Sequence, residues 1–138
     1  MKESISLNFM SNMAFEADVN GHKLYLDASV ENGGKNLGPR PKPLMMVALG
    51  GCTGMDVVSL LKKMRVDYDS LKITVEGDIK EEHPKTFSRM KVIFSLKGDN
   101  IPLDKVQKAV DLSREKYCGV HEAYKKAMEI EFEIRINE

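Results

Sequence analysis

The stretch Pro43–Arg65, PLMMVALGGCTGMDVVSLLKKMR, holds the longest apolar run in the chain and one of its two cysteines. No charged residue lies between Pro43 and Met55. Leu44, Val47, Ala48, Gly51, Met55 and Val58 recur at steps of three or four, the spacing of one helix face. The other side, with Met45, Leu49 and Cys52, is apolar too, and polarity returns only at Asp56, Ser59 and Lys62-Lys63. A helix that is apolar all round is buried in protein or in lipid. A bilayer needs roughly 20 apolar residues, and this uncharged run is shorter. The expectation is a central helix ending near Arg65, buried on nearly every side, with a thiol near its middle. Pro43 suits the first turn, where its missing N–H has no partner anyway. Lys62, Lys63 and Arg65 suit the negative C-terminal end.

Upstream, Ile5–Phe9 alternates Ile5, Leu7 and Phe9, Met13–Val19 alternates again, and His22–Val30 places Leu24, Leu26 and Ala28 on one face. Asn20-Gly21 offers the positive φ angles of a tight hairpin turn, so these are three strands of an antiparallel meander. Glu31–Lys42, rich in glycine and proline, is a loop at the long end of ordinary connections, and such loops often carry function. Downstream, Leu71–Ile79 and Phe87–Leu96 read as strands joined across Glu81-Glu82-His83-Pro84. Pro102 opens a second helix with Leu103, Val106, Val110 and Tyr117 on one stripe. Tyr117-Cys118-Gly119-Val120 interrupts it, Val120–Met128 reads as a short third helix, and Ile130, Phe132, Ile134 and Ile136 alternate in a last strand. Consecutive strands, rather than βαβ alternation, predict an α+β fold with mainly antiparallel sheets packed around the long central helix. One small sheet cannot cover a helix that is apolar on all sides, so a second copy is expected to cover the rest, as an intertwined homodimer.

A chain of 138 residues is most simply one domain, 1–138, large enough to bury roughly two thirds of its unfolded surface. Lys+Arg and Asp+Glu are each 21, giving zero net charge, which argues against nucleic-acid or membrane partners held by bulk attraction. The N-terminus MKESISLNFMSN has no apolar core long enough for a signal peptide, which places the protein in the cytoplasm. Two cysteines are too few for a disulfide-stapled scaffold and are read instead as inert, catalytic or redox-sensing. Nine methionines without a tryptophan suggest a core filled partly by thioethers.

Cys52 lies in GGCTGMD. It is either a small buried apolar residue or a reactive thiol from whose surroundings Gly50, Gly51 and Gly54 strip side chains. Asp56, one turn on, is a charge that a core helix does not carry without a partner, and it opposes ionisation of a neighbouring sulfur. A reactive Cys52 therefore needs a cation from elsewhere. Arg40, in the proline-stiffened GPRPKP loop, is the nearest in sequence, with Lys42 a weaker candidate and a solvated loop arginine the bland alternative. Cys118, in KYCGVHEA, sits where a helix starts, a position that lowers a thiol pKa. His121 is expected to be solvated, with help to Cys118 as the minority reading. CxxH is a weak zinc signal, since zinc takes four ligands and His22 and His83 have no supporting spacing, so neither a metal nor a cofactor is expected. No GxGxxG, P-loop or GxSxG is present.

The stretches GPRPKPLMMVALGGCTGMDVVSLLKKMR and LSREKYCGVHEA, with one cysteine inside a long apolar helix and another at a helix start, resemble the OsmC/Ohr family (osmotically inducible protein C and organic hydroperoxide resistance proteins). The resemblance spans essentially the whole chain and is nearest to the small OsmC-like branch. It implies an intertwined α+β homodimer with two interfacial active sites, and thiol-dependent reduction of organic hydroperoxides. Carried onto this chain, Cys52 is implied as the peroxidatic thiol and Cys118 as the resolving one, with an external dithiol as reductant. Two departures stand out. Peroxidases of the family carry an arginine in the N-terminal strands, where Met1–Lys35 has none, and a glutamate near the helix start, where this chain has Lys42-Pro43. The alternatives are a non-catalytic dimer that binds a small apolar ligand and a redox-sensing dimer.

Overall fold

The computed structural model describes Met1–Glu138, in two compact units, Met1–Met45 and Met46–Glu138. In the first unit, β1 (Ser6–Phe9), β2 (Phe15–Val19) and β3 (His22–Leu26) form the expected antiparallel meander. Phe9 pairs with Phe15, and Val19 with His22 across the Asn20-Gly21 turn, whose φ angles are +50° and +79°. The strand expected to run to Val30 stops at Leu26 because Asp27 redirects the chain. Its carboxylate accepts the backbone N–H groups of Ala28 (2.7 Å), Lys35 (3.1 Å) and Leu37 (3.1 Å). The loop is thereby drawn back against β3. A Cβ on Gly34 would stand 2.1 Å from the Ala28 carbonyl oxygen, and one on Gly38 2.2 Å from that of Tyr25, so neither position admits a side chain.

The helix α1 runs Pro43–Lys63, as the sequence predicts. It closes in a Schellman motif, with the Val66 N–H donating to Leu61 O (3.0 Å) and the Arg65 N–H to Lys62 O (3.1 Å). Arg65 takes the left-handed position at φ +58°, and buried Val66 and Leu61 supply the apolar contact of the motif. In the second unit, β4 (Ser70–Ile79) and β5 (Phe87–Lys97) pair antiparallel, and β5 pairs with β6 (Glu129–Ile136) in parallel, Met90 opposite Ile130 and Phe94 opposite Ile134. The other three strand pairings are antiparallel, so the fold is the expected α+β with mainly antiparallel sheets, and the one parallel pair is an addition to it. The chain between β5 and β6 is a crossover made of α2 (Leu103–Leu112), a π-turn (Ser113–Tyr117) and α3 (Gly119–Tyr124). The stripe foreseen on α2 holds at Val106 and Val110, which are fully buried, and fails at Leu103 and Tyr117, which are exposed.

The core of this unit is Leu49, Val57, Leu61, Met90, Val92, Phe94, Val106 and Val110, all without accessible surface, each large side chain contributing about 1.5–3 kcal/mol. Met90 is the one methionine among these; Met10, Met13 and Met55 are exposed, so thioethers fill little of the core.

The orientation of α1 differs from expectation. Its buried side chains are Leu49, Thr53, Val57 and Leu61, with Gly50 and Gly54 between them. Gly54 faces Ile73 and Gly50 faces Val75, both on β4, so closely that a Cβ would lie 2.5 Å and 3.0 Å from their methyl carbons. The stripe that periodicity picks out is the uncovered one: within a single chain Val47 is 65%, Met55 77% and Val58 43% exposed. Two apolar stripes are equivalent in sequence, and the glycines decide which one receives β4. By length and hydropathy α1 is able to cross a membrane, a test that the core helix of a soluble protein also passes.

Candidate active site

Cys52 projects from the middle of α1, partly exposed, and Cys118 is buried at the start of α3; both are free thiols. The topology joins them although they lie far apart in sequence. The Cys52 Sγ, the Cys118 Sγ and a carboxylate oxygen of Asp56 all lie within 4.8 Å of one another.

Each of the three is held by its own element. Cys52 and Asp56 are four residues apart on a helix and so share one face. Cys118 is the N-cap of α3, with extended backbone (φ −81°, ψ 103°), and its sulfur accepts the His121 N–H at 3.3 Å. Its own N–H donates to Ser113 O at 2.8 Å, closing the π-turn. The Ser113 hydroxyl, fully buried, donates to Asp56 Oδ2 at 2.9 Å. Ser113 thus fixes Cys118 through its backbone and Asp56 through its side chain. In the sequence Asp56 wants a partner, with a cation as the obvious kind; the partner is a hydroxyl 57 residues away.

Two expectations for Cys118 and His121 are corrected. The Cys118 thiol lies not below its ordinary value but above it, pushed up to about 11, first by burial and then by the hydrogen bond and charge of Cys52. The His121 N–H opposes this, but α3 is only six residues long and its N-terminus does not outweigh desolvation. His121 is buried rather than solvated. Its Nδ1–H donates to the Arg114 carbonyl at 2.8 Å, and its ring meets Phe132 edge-on with centroids 5.2 Å apart. Burial, with Arg114 and Lys125 nearby, holds its pKa below the ordinary imidazole range. His121 does assist Cys118, through its backbone N–H and not through its imidazole. The Arg114 guanidinium also rests on Phe132, 5.1 Å from the ring centroid.

Arg40 donates to Asn36 Oδ1 (2.8 Å) and Gly38 O (2.9 Å), so its hydrogen bonds secure the loop that carries it. The site residues that sequence reasoning missed are Ser113 and Phe132. Only the unexplained charge of Asp56 hinted at Ser113. Phe132 has the pattern of one more core residue on an alternating strand, and nothing local sets it apart.

A family model described as "OsmC-like protein" matches residues 33–133. The protein YhfA of Escherichia coli K12 is 36% identical over 110 residues, covering 80% of this chain and 79% of YhfA. A crystal structure of a protein from Aquifex aeolicus VF5 superposes with a TM-score of 0.87 at 26% identity, over 99% of this chain and 97% of that one. An organic hydroperoxide resistance protein OsmC from Legionella pneumophila shares the fold at a TM-score of 0.68 and 15% identity, over 98% and 97% of the two chains.

Proposed function

The chain belongs to the OsmC-like protein family, and from that premise we propose that it reduces organic hydroperoxides through its two thiols. The single observation that carries the reading is the approach of Cys52 and Cys118 to within 4.8 Å, sulfur to sulfur, beside a hydroxyl-anchored carboxylate. In the proposed cycle the Cys52 thiolate attacks the distal peroxide oxygen, the O–O bond breaks, and the alcohol leaves with a proton. Cys52 is then a sulfenic acid, and Cys118 condenses with it, forming the S–S bond and releasing water. An external dithiol returns both sulfurs to the reduced state. Burial keeps the proton on Cys118, so it does not compete as the first nucleophile, and that proton leaves with the water when the S–S bond forms.

Residues 1–138 are proposed to act as one domain, since the family match at 33–133 runs through both units. A second copy is proposed to cover the exposed Val47, Met55 and Val58 stripe, forming a homodimer in the cytoplasm. Arg40 stands as the proposed cation for Cys52 on sequence grounds, and its test is direct: Arg40→Ala should slow alkylation of Cys52, and an unchanged rate removes it from the mechanism.

The deciding experiment is consumption of cumene hydroperoxide with a dithiol reductant. Wild type should turn over and Cys52→Ser should not; absence of Cys52-dependent turnover ends the enzymatic reading. A second reading, a binder of a small apolar molecule, is favoured by one observation. A hollow of about 530 Å³ in the first unit is lined by Leu7, Met13, Phe15 and Leu26, with Asp27 and Arg40 as its charged members. Native mass spectrometry of the purified protein should then find a retained apolar ligand.

A further inference from the structure

We infer that Cys52, Asp56 and Cys118 form a binding site for a thiophilic divalent cation of the zinc class, independently of whether the same sulfurs reduce peroxides. Zinc takes thiolate sulfur at about 2.3 Å and carboxylate oxygen at about 2.0–2.2 Å in tetrahedral geometry, which places its ligand atoms about 3.5–3.8 Å apart. The three atoms here already lie within 4.8 Å of one another, so closing on an ion takes about 1 Å of movement. A rotamer adjustment of Cys52 or Asp56 on α1 supplies that without disturbing the backbone.

The donor set chooses the metal class. Two sulfurs and one carboxylate select zinc, cobalt(II) or cadmium over calcium or magnesium, which require oxygen ligands. Three protein ligands leave one tetrahedral position open, the arrangement of a site that keeps a water. The supporting residues are also those of a metal site. Ser113 orients the Asp56 carboxylate through Oδ2, and the His121 N–H orients the Cys118 sulfur. A hollow of about 140 Å³ lined by Asp56, Ser59, Leu60, Lys63 and Tyr117 opens beside the carboxylate. Lys63 is the one cation on that lining, and the residue is exposed. Neither CxxH nor any histidine contributes, which is why ligand spacing in the sequence gave no sign of the site: the ligands come from two elements. On binding, both sulfurs coordinate as thiolates, any proton on them leaves to solvent, and two metal–sulfur bonds form.

The test is titration of fully reduced wild-type protein with Co²⁺ under anaerobic conditions. One equivalent per chain should bind, with thiolate-to-cobalt charge-transfer absorption and the intense visible bands of tetrahedral cobalt, and Zn²⁺ should bleach both. Cys52→Ser and Cys118→Ser should each weaken binding at least tenfold, and Asp56→Asn about 10- to 100-fold. Because a variant can fail by misfolding, wild type supplies a second readout: saturating Zn²⁺ should slow iodoacetamide labelling of Cys52 at least tenfold, and a chelator should restore it. No charge-transfer band at one equivalent, labelling unchanged by Zn²⁺, or binding undiminished in Asp56→Asn each overturns the three-ligand site. None of these readouts involves peroxide, so this inference and the proposed reductase stand or fall separately.

Discussion

The Ser113 hydroxyl donates to the Asp56 carboxylate across 2.9 Å, tying the turn that carries Cys118 to the helix that carries Cys52. A hydrogen bond to a charged group contributes about 1.5–3 kcal/mol, and losing it leaves the carboxylate partly desolvated without a donor. Ser113→Ala should therefore lower stability by about that amount, read from the denaturant midpoint at unchanged m-value. It should also slow peroxide-induced Cys52–Cys118 disulfide formation several-fold. Disulfide formation at the wild-type rate would show that the tie is structural only.

The sulfur of Cys118 is both the proposed resolving thiol and the cap of α3, and substitutions can separate the two roles. Cys118→Ser keeps a capping oxygen and removes the redox role; Cys118→Ala removes both. Thermal or chemical unfolding should place the alanine variant about 0.5–2 kcal/mol below the serine variant. Both should accumulate Cys52 sulfenic acid, trapped by dimedone and seen by mass spectrometry. Equal stabilities would remove the capping role.

Two buried groups set a pH window for stability. The folded-state pKa of Cys118 is raised, so its contribution is full below the ordinary thiol value of 9.0 and is lost as pH rises through about 11. That of His121 is lowered, so its contribution is full above the ordinary 6.5 and is lost as pH falls through the depressed value. The denaturant midpoint should be flat between these limits and fall on both sides. Cys52→Ser removes the neighbour that helps hold the Cys118 proton, so alkylation of Cys118 should set in at lower pH in that variant than in wild type.

The exposed α1 stripe makes a prediction about assembly. Met55, at 77% exposure, contributes nothing to the core of a single chain. Met55→Lys should leave monomer stability within about 0.5 kcal/mol but break the proposed dimer. Sedimentation should show two chains for wild type and one for the variant. A wild-type monomer at tens of micromolar concentration would refute the homodimer.

Much of this was legible in the sequence. The strands announce themselves by alternation, the Asn20-Gly21 turn by its residues, and α1 by Pro43 and its charge-free run. The family resemblance rested on the two cysteine contexts, and the family match bears it out. What the sequence hid was relational. Two apolar stripes on α1 cannot be ranked until Gly50 and Gly54 meet β4. The parallel pairing of β5 with β6 is masked because Gly119 and the π-turn break the crossover into pieces. The Asp56–Ser113 bond joins residues with no local pattern between them. A cysteine at a helix start reads as acidic, and only the burial of Cys118 reverses that.

The atom that begins α3 is also an atom whose oxidation state is proposed to change. A six-residue helix has little cooperativity of its own, so altering the acceptor at its first turn should loosen it. Exchange of the His121 amide proton should then accelerate when Cys118 is oxidised to the disulfide, and hold steady if the cap is immaterial. The segment leading into β6 would report the chemical history of the thiols as local order, legible to anything that docks beside it.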